Sequence, residues 1–333
     1  MMPVGLNQTR IYTTVRSYRT HRSTPRQPRT KGQGQLKMNA VKNSVPRFNS
    51  PAGFKLSTEM VNAYSQDGVL VLENMFSDSE CDALIGRAEK LVSSYDPSQV
   101  QTKFSTRNST HYGDENFTTS GYRINFFLEE GASDDMQLLN KDKVKYISKI
   151  GHCLHDLDPV FDQFSRDSRL EAVALSLGCK KPLLTQSSYI YKQPGAGGEF
   201  LWHQDSTYLL TEPMSCFGLW IALEDATIAN GCLWVLPKHH TEPIRKRLHY
   251  VGGELRTDVL NSTPWTDTGS VALEVARGTL IVLHGSLPHK SDTNRAKDSR
   301  QTYVLHITDG SSIYNESNWL KRPNDMPLRG FQN

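Results

Sequence analysis

From Leu183 onward the chain is a succession of short apolar runs cut by turn residues: LLTQSSYIYKQ, CFGLWIAL, CLWVLP, VALEV, GTLIVLHG and RQTYVLHIT. Runs of this length, rich in Val, Ile, Leu, Tyr and Trp, are strand-sized and too short for core helices. Asn230-Gly231, between the second and third, is a hairpin-turn signal. Upstream, the spacing of apolar residues is helical instead. LSTEMVNAYSQDG reads as a short helix stopped by Gly68, and VLVLENM as a strand. Ser77 and Glu80 form a capping-box pattern ahead of Cys81, Leu84, Ile85, Ala88, Leu91 and Val92 at helical spacing. Val144, Ile147, Ile150, Leu154 and Leu157 mark another helix. A further one opens with Ser168 and Glu171 as a second capping box, buries Leu170, Val173, Ala174 and Leu177, and stops at Gly178. Helices first and strands second predict a mainly β fold, a sandwich or jelly roll buttressed by N-terminal helices.

Charge divides the chain as sharply. Residues 1–58 carry 11 Lys/Arg and no acid, whereas the remainder carries 27 basic and 35 acidic residues, a net of −8. The positive charge therefore sits on a tail and not on a folded face, which predicts no nucleic-acid partner. RTHRSTPRQPRTKGQGQ has too few apolar residues to pack, so residues 1–55 are expected to be a disordered basic extension and 56–333 the folded domain. An acid-free composition rich in Arg and hydroxyls is also that of an organelle transit peptide, so the expected location is cytoplasmic or mitochondrial. The chain ends Phe331-Gln332-Asn333, without a peroxisomal tripeptide. Five scattered cysteines with no CxxC pair argue against a disulfide scaffold and a cysteine zinc site, and fit a reducing compartment. No apolar run approaches a membrane span, which predicts no membrane partner.

The chemistry enters with FLWHQDSTYL, which sets His203 and Asp205 two residues apart. Residues i and i+2 of a strand share a face, so the pair can aim at one point. Two imidazoles and one carboxylate on one face of an octahedron suit Fe(II) and leave three positions open. The third ligand must come from another strand, and GTLIVLHGSLPHKSD offers His284 and His289. Eleven residues after His289, Arg300 opens RQTYVLHIT, where a guanidinium can clamp a dicarboxylate in a two-bond fork. This order describes an Fe(II)/2-oxoglutarate site, with the keto acid on iron at one end and on Arg300 at the other. The other histidines read as structural. His152 and His155, three apart on a helix, give one packed and one exposed ring. His239 and His240 are adjacent and do not easily share a metal. His284 is a satisfied core residue, and KHHTEPIRKRLHY is a solvated basic loop.

Three blocks, YIYKQPGAGGEFLWHQDSTYLLTEP, GLWIALEDATIANGCLWVLPKHH and HGSLPHKSDTNRAKDSRQTYVLH, resemble the phytanoyl-CoA dioxygenase family, and the likeness runs from about Leu56 to Trp319. The resemblance implies a double-stranded β-helix. It implies iron held by His203, Asp205 and His289, 2-oxoglutarate held by Arg300, and Trp220 beside the co-substrate. Two further co-substrate contacts follow from it: Arg123 in SGYRINFFLEEG, where the family has Lys, and Ser188 in TQSSYIYKQP, where relatives carry Met. PKHH replaces the family's Pro-Gly-Ser-His and touches only a turn. The implied reaction uses O2 to hydroxylate a small organic or acyl substrate and releases succinate and CO2, with ascorbate as a reductant. Asp205 stands where halogenating relatives carry a small residue, which favours hydroxylation. The alternative is a non-catalytic protein of the same fold that binds 2-oxoglutarate and metal. The sequence names neither substrate nor oligomeric state.

Overall fold

Two sheets dominate the structure, a computed structural model that describes residues 44–98, 102–107, 110–135 and 141–332. The transit-peptide reading falls on residues outside that range. The larger sheet holds β1 (Arg47–Asn49), β2 (Val69–Glu73), β3 (Lys103–Phe104), β4 (Ile124–Glu129), β5 (Ile147–His152), β6 (Pro182–Lys192), β9 (Phe217–Ala222), β14 (Leu280–His284) and β16 (Arg300–Asp309). Their spatial order is β1-β2-β14-β9-β16-β6-β5-β4-β3. The smaller sheet holds β7 (Phe200–His203), β10 (Leu233–Val235), β13 (Val271–Leu273) and β15 (His289–Ser291), in the order β13-β10-β15-β7. Two short pairs complete the described set: the hairpin β11 (Lys246–Val251) with β12 (Glu254–Val259), and β8 (Thr211–Glu212) with β17 (Ile313–Tyr314).

In the larger sheet β2, β9 and β14 read as nearly unbroken apolar runs because both faces are covered. In β9, Leu219 and Ile221 join one core cluster, together with Leu84 and Ala88 of the helix Asp78–Ser94 and with Leu170 and Val173 of the helix Ser168–Ser176. Trp220 and Ala222 point the other way, into a second core shared with Leu233, Val235 and Leu273 of the smaller sheet. Period-2 alternation thus separates a helix-facing layer from a sheet-facing layer. The same alternation fixes the inner face of β16. Register pairs Arg300 with Lys192, Val304 with both Ser188 and Trp220, and His306 with both Gln186 and Gly218.

The N-terminal helix Thr58–Asp67 ends where expected, at Gly68 in the left-handed region (φ 74°). The Ser77/Glu80 capping box forms, with Ser77 N donating to Glu80 Oε2 at 2.8 Å. Four expectations need correction. The apolar residues from Val144 to Leu157 do not build one helix. Ile147–His152 is β5, buried along its whole length between β4 and β6, and only the short flanks 143–146 and 154–157 are helical. A fully buried strand carries apolar side chains on both faces, so a spacing of three arises there without a helix. The helix Ser168–Ser176 is capped by Asp167, one residue before the expected Ser168; Asp167 Oδ1 accepts from Arg169 N at 2.8 Å. Asn230-Gly231 is no hairpin. It lies in the connection from β9 in one sheet to β10 in the other, where Gly231 has φ 86° and an added Cβ would sit 2.5 Å from Asp292 O. The basic stretch around Arg247 is not a loop but β11 of a hairpin turned at Gly252-Gly253, both at positive φ. In addition, β1 lies inside the span assigned to the basic extension: it pairs in parallel with β2, and Val45 ahead of it is buried in the sheet-facing core.

Candidate metal centre and co-substrate pocket

The smaller sheet brings the ligand candidates together. His203 closes β7 and His289 opens β15, and antiparallel register sets them directly opposite each other. Their rings lie 4.2 Å apart. Asp205 follows as the first residue of a 3-10 turn, Asp205–Thr207. Its Oδ1 lies 3.8 Å from His203 Nε2 and 3.7 Å from His289 Nε2. One ligand atom from each of the three falls within 4.8 Å of the others. The segment is held from behind: Gln204 Nε2 donates to Ser286 O at 2.8 Å, and Ser206 N to Gly285 O at 2.8 Å. These bonds tie the His-Gln-Asp stretch to the loop that leads into His289.

The protonation pattern suits a divalent metal. His203 Nδ1 donates to Leu201 O at 2.8 Å and His289 Nδ1 to Leu287 O at 3.0 Å, which leaves each Nε2 lone pair turned to Asp205. Burial, with His289 beside it, pushes the His203 imidazole down to about 4, so it is neutral at physiological pH. Burial opposes ionisation of Asp205, yet His306, His289 and His203 around it prevail and hold its carboxyl well below the usual range. Two imidazole nitrogens and one anionic oxygen are the donor set Fe(II) takes.

Among the described residues one other cluster has metal-like composition, Cys153, His155 and Asp156. Its donors are already engaged. Asp156 pairs with Arg166, Arg322 and Arg329, at 2.6, 2.8 and 2.8 Å. His155 has Ser187 Oγ at 2.8 Å on Nδ1 and Arg322 at 3.1 Å on Nε2. Three guanidiniums around one carboxylate exclude a cation. Both His152 and His155 are buried, which corrects the expectation that one of the two is exposed.

A cavity of about 580 Å³ opens over the three ligand candidates, and Arg300, Trp220 and Ser188 line it. Arg300 is 1% exposed, and its guanidinium lies 5.7 Å from the Trp220 ring. Its NH1 donates to Thr302 Oγ1 at 3.1 Å, while Nε has no partner. No carboxylate among the described residues lies within ion-pair distance of it. Burial accordingly pushes its pKa down to about 10. A buried guanidinium without a counter-charge is costly unless an anion arrives.

Arg123 does not join them. It is exposed, with its guanidinium 5.6 Å from the Tyr122 ring, and does not line the cavity. It caps the turn Ser120–Tyr122 just before β4, outside the inner face of the sheet. The cation that the neighbouring strand delivers to the cavity is Lys149 of β5, which packs 3.5 Å from the Phe104 ring. Burial pushes its pKa down to about 7, and no carboxylate among the described residues pairs with it. Sequence reasoning missed Lys149 because it read this stretch as a helix. Read as a strand, Lys149 and Gly151 share a face, opposite Ile190 and Ser188 of β6. His306 was missed as well; its Nε2 lies 3.2 Å from Asp205 Oδ2.

A jelly-roll-type body carrying a His-x-Asp and a distant His beneath a cavity with an unpaired Arg defines a candidate non-haem metal site for an anionic co-substrate. The comparisons place the chain within a family. The phytanoyl-CoA dioxygenase (PhyH) family model matches residues 64–302, and the chain belongs to that family. It is 38% identical over 269 residues to a phytanoyl-CoA dioxygenase of Arabidopsis thaliana, covering 80% of this chain and 94% of that one. It is 39% identical over 287 residues to phytanoyl-CoA dioxygenase domain-containing protein 1 of Bos taurus, covering 82% and 97%. Among solved structures it resembles EctD from S. alaskensis with 2-oxoglutarate and 5-hydroxyectoine, with TM-score 0.56, 23% identity and coverage of 83% and 84%. It also resembles the non-haem α-ketoglutarate-dependent carbocyclase SnoK, with TM-score 0.57, 18% identity and coverage of 82% and 96%. At these identities the two structures speak for the fold.

Proposed function

We propose that the protein is an Fe(II)- and 2-oxoglutarate-dependent dioxygenase that hydroxylates a small organic or acyl substrate, on a double-stranded β-helix buttressed by its N-terminal helices. The observation that carries this reading is the unpaired, buried Arg300 lining the same cavity as the His203, Asp205 and His289 cluster. A metal centre alone does not need such a cation; a co-substrate with a distal carboxylate does. When bound, iron and 2-oxoglutarate supply oxidative chemistry that spends O2, with succinate and CO2 as products; ascorbate serves as an external reductant.

The protein's own part is to hold and to exclude. His203, Asp205 and His289 would hold the metal from one side. Arg300, with Trp220 against it and Ser188 on the facing strand, would fix the distal carboxylate. Lys149 supplies a second positive charge. Among the described residues six Arg or Lys side chains line the cavity (Arg107, Lys149, Arg245, Lys246, Lys290 and Arg300), against one carboxylate, Asp205. Exposed Leu201 and Val259 line it too, with Trp202 and Trp265, which gives the substrate side an apolar and aromatic wall. Among the described residues no helix is long and apolar enough to cross a membrane.

The reading is tested by titrating 2-oxoglutarate into anaerobic protein loaded with Fe(II). Binding of one equivalent is expected, and absence of binding contradicts it. The same titration carries a pH prediction. The Lys149 pKa lies at about 7 in the folded protein against 10.5 for an ordinary lysine, so its burial destabilises the fold fully below pH 7 and the penalty fades as pH rises towards 10.5. A bound dicarboxylate favours the ammonium form. Binding at pH 8 should therefore take up about one proton, visible as buffer-dependent binding enthalpy, and Lys149→Met should abolish the uptake. Identical enthalpies across buffers would remove Lys149 from the co-substrate site.

A further inference from the structure

The carboxylate of Asp205 has two oxygens, and they meet different surroundings. Oδ1 faces His203 Nε2 and His289 Nε2 at 3.8 and 3.7 Å. Oδ2 faces the larger sheet, where His306 Nε2 lies 3.2 Å away. His306 sits on the inner face of β16, six residues beyond Arg300 and therefore on the same side. Gly218 stands directly across from it on β9. A Cβ at Gly218 would come within 3.3 Å of Asp205 Oδ2 and 3.7 Å of the His306 ring. The missing side chain leaves the room in which carboxylate and imidazole meet.

The tautomer follows from the surroundings. His306 Nδ1 is buried and has no partner, whereas Nε2 points at an anion. The proton belongs on Nε2, where it can be donated.

Resting on the metal-centre reading above, we propose that His306 is a positioning residue for the metal carboxylate. Its Nε2–H donates to Asp205 Oδ2 and withholds that oxygen from the metal, so that Asp205 presents Oδ1 alone. A carboxylate free to rotate can chelate through both oxygens and take up a second coordination position. Tied at Oδ2 it occupies one, and the positions needed by 2-oxoglutarate and by oxygen stay open. The smaller sheet thus supplies the ligands, and the larger sheet sets the carboxylate's rotation through one side chain opposite a glycine.

The test is an anaerobic titration of the metal-free full-length protein with Co(II), read by its visible d–d absorption. Four proteins are compared: wild type, Asp205→Ala, His306→Phe and His306→Gln. Phe keeps the ring volume and deletes the donor. Gln places an amide N–H about where Nε2 stands. Wild type should bind one equivalent and Asp205→Ala should bind far more weakly. His306→Phe should bind about 10- to 100-fold more weakly than wild type, with a shifted band that reports the changed coordination. His306→Gln should recover most of the affinity and the wild-type band. If His306→Phe matches wild type in both affinity and spectrum, the positioning role is wrong. If Phe and Gln lose affinity equally, the donor assignment is wrong. Wild type that binds no Co(II), or Asp205→Ala that binds as tightly as wild type, removes the metal-centre reading itself, a result separate from either. Thermal midpoints of the metal-free proteins accompany the titration, and the Gln variant keeps the test decisive should Phe fold poorly.

Discussion

Asp205→Ala is expected to lower metal affinity by at least about 100-fold. The bound comes from comparison: removing a partner that only orients a ligand costs about 10- to 100-fold, and Asp205 is itself a ligand candidate. Among the described residues it is also the only carboxylate lining the cavity. Its loss leaves His203 and His289 as two imidazole donors with no carboxylate to hold a dication, and strands His306 without the anion 3.2 Å from its Nε2. The check is Fe(II) or Mn(II) binding measured by calorimetry on the wild type and the variant. Affinity within a few-fold of wild type would mean that the cluster is a buried polar network and not a metal centre.

Arg300→Met is expected to produce two effects of opposite sign. Truncating one member of a buried charge pair costs about 2–4 kcal/mol, so 2-oxoglutarate should bind about 30- to 1,000-fold more weakly. The metal-free, ligand-free protein should nevertheless become more stable. In that state Arg300 is 1% exposed and has no anion, and burial depresses its pKa to about 10. Replacing an unpaired buried charge by an apolar side chain of similar length removes the desolvation cost. The thermal midpoint should rise by about 2–4 °C for each kcal/mol gained. A structural role for Arg300 predicts the reverse: a lower midpoint and unchanged co-substrate affinity. The two measurements together decide between them.

The readable part of this protein was the part where one side chain's chemistry depends on near neighbours in the chain. His203 and Asp205 lie two residues apart, and the capping box at Ser77 and the stop at Gly68 are equally local. Partners set by register were harder to read. Arg300, Trp220 and Ser188 share a face because β16, β9 and β6 pair as they do, and only the family resemblance pointed at the last two. Arg123 and Lys149 show how much depends on register. The resemblance points to Arg123, which stays exposed and outside the cavity, while Lys149 lines the cavity from β5, a strand whose burial on both faces imitates helical spacing. His306 carried a usable signal. It stands an even number of residues beyond Arg300 on a continuous strand, so the two must share a face whatever the rest of the fold does.

The most direct test is succinate release from 2-oxoglutarate by purified protein with Fe(II), ascorbate and O2, with and without a panel of small organic and acyl compounds, beside Asp205→Ala. The account predicts succinate from the wild type, its stimulation by the compound that is hydroxylated, and its loss in Asp205→Ala. Fe(II) and 2-oxoglutarate bound by the wild type, with no succinate formed under any of the compounds, would contradict it and leave a binding protein built on the same fold.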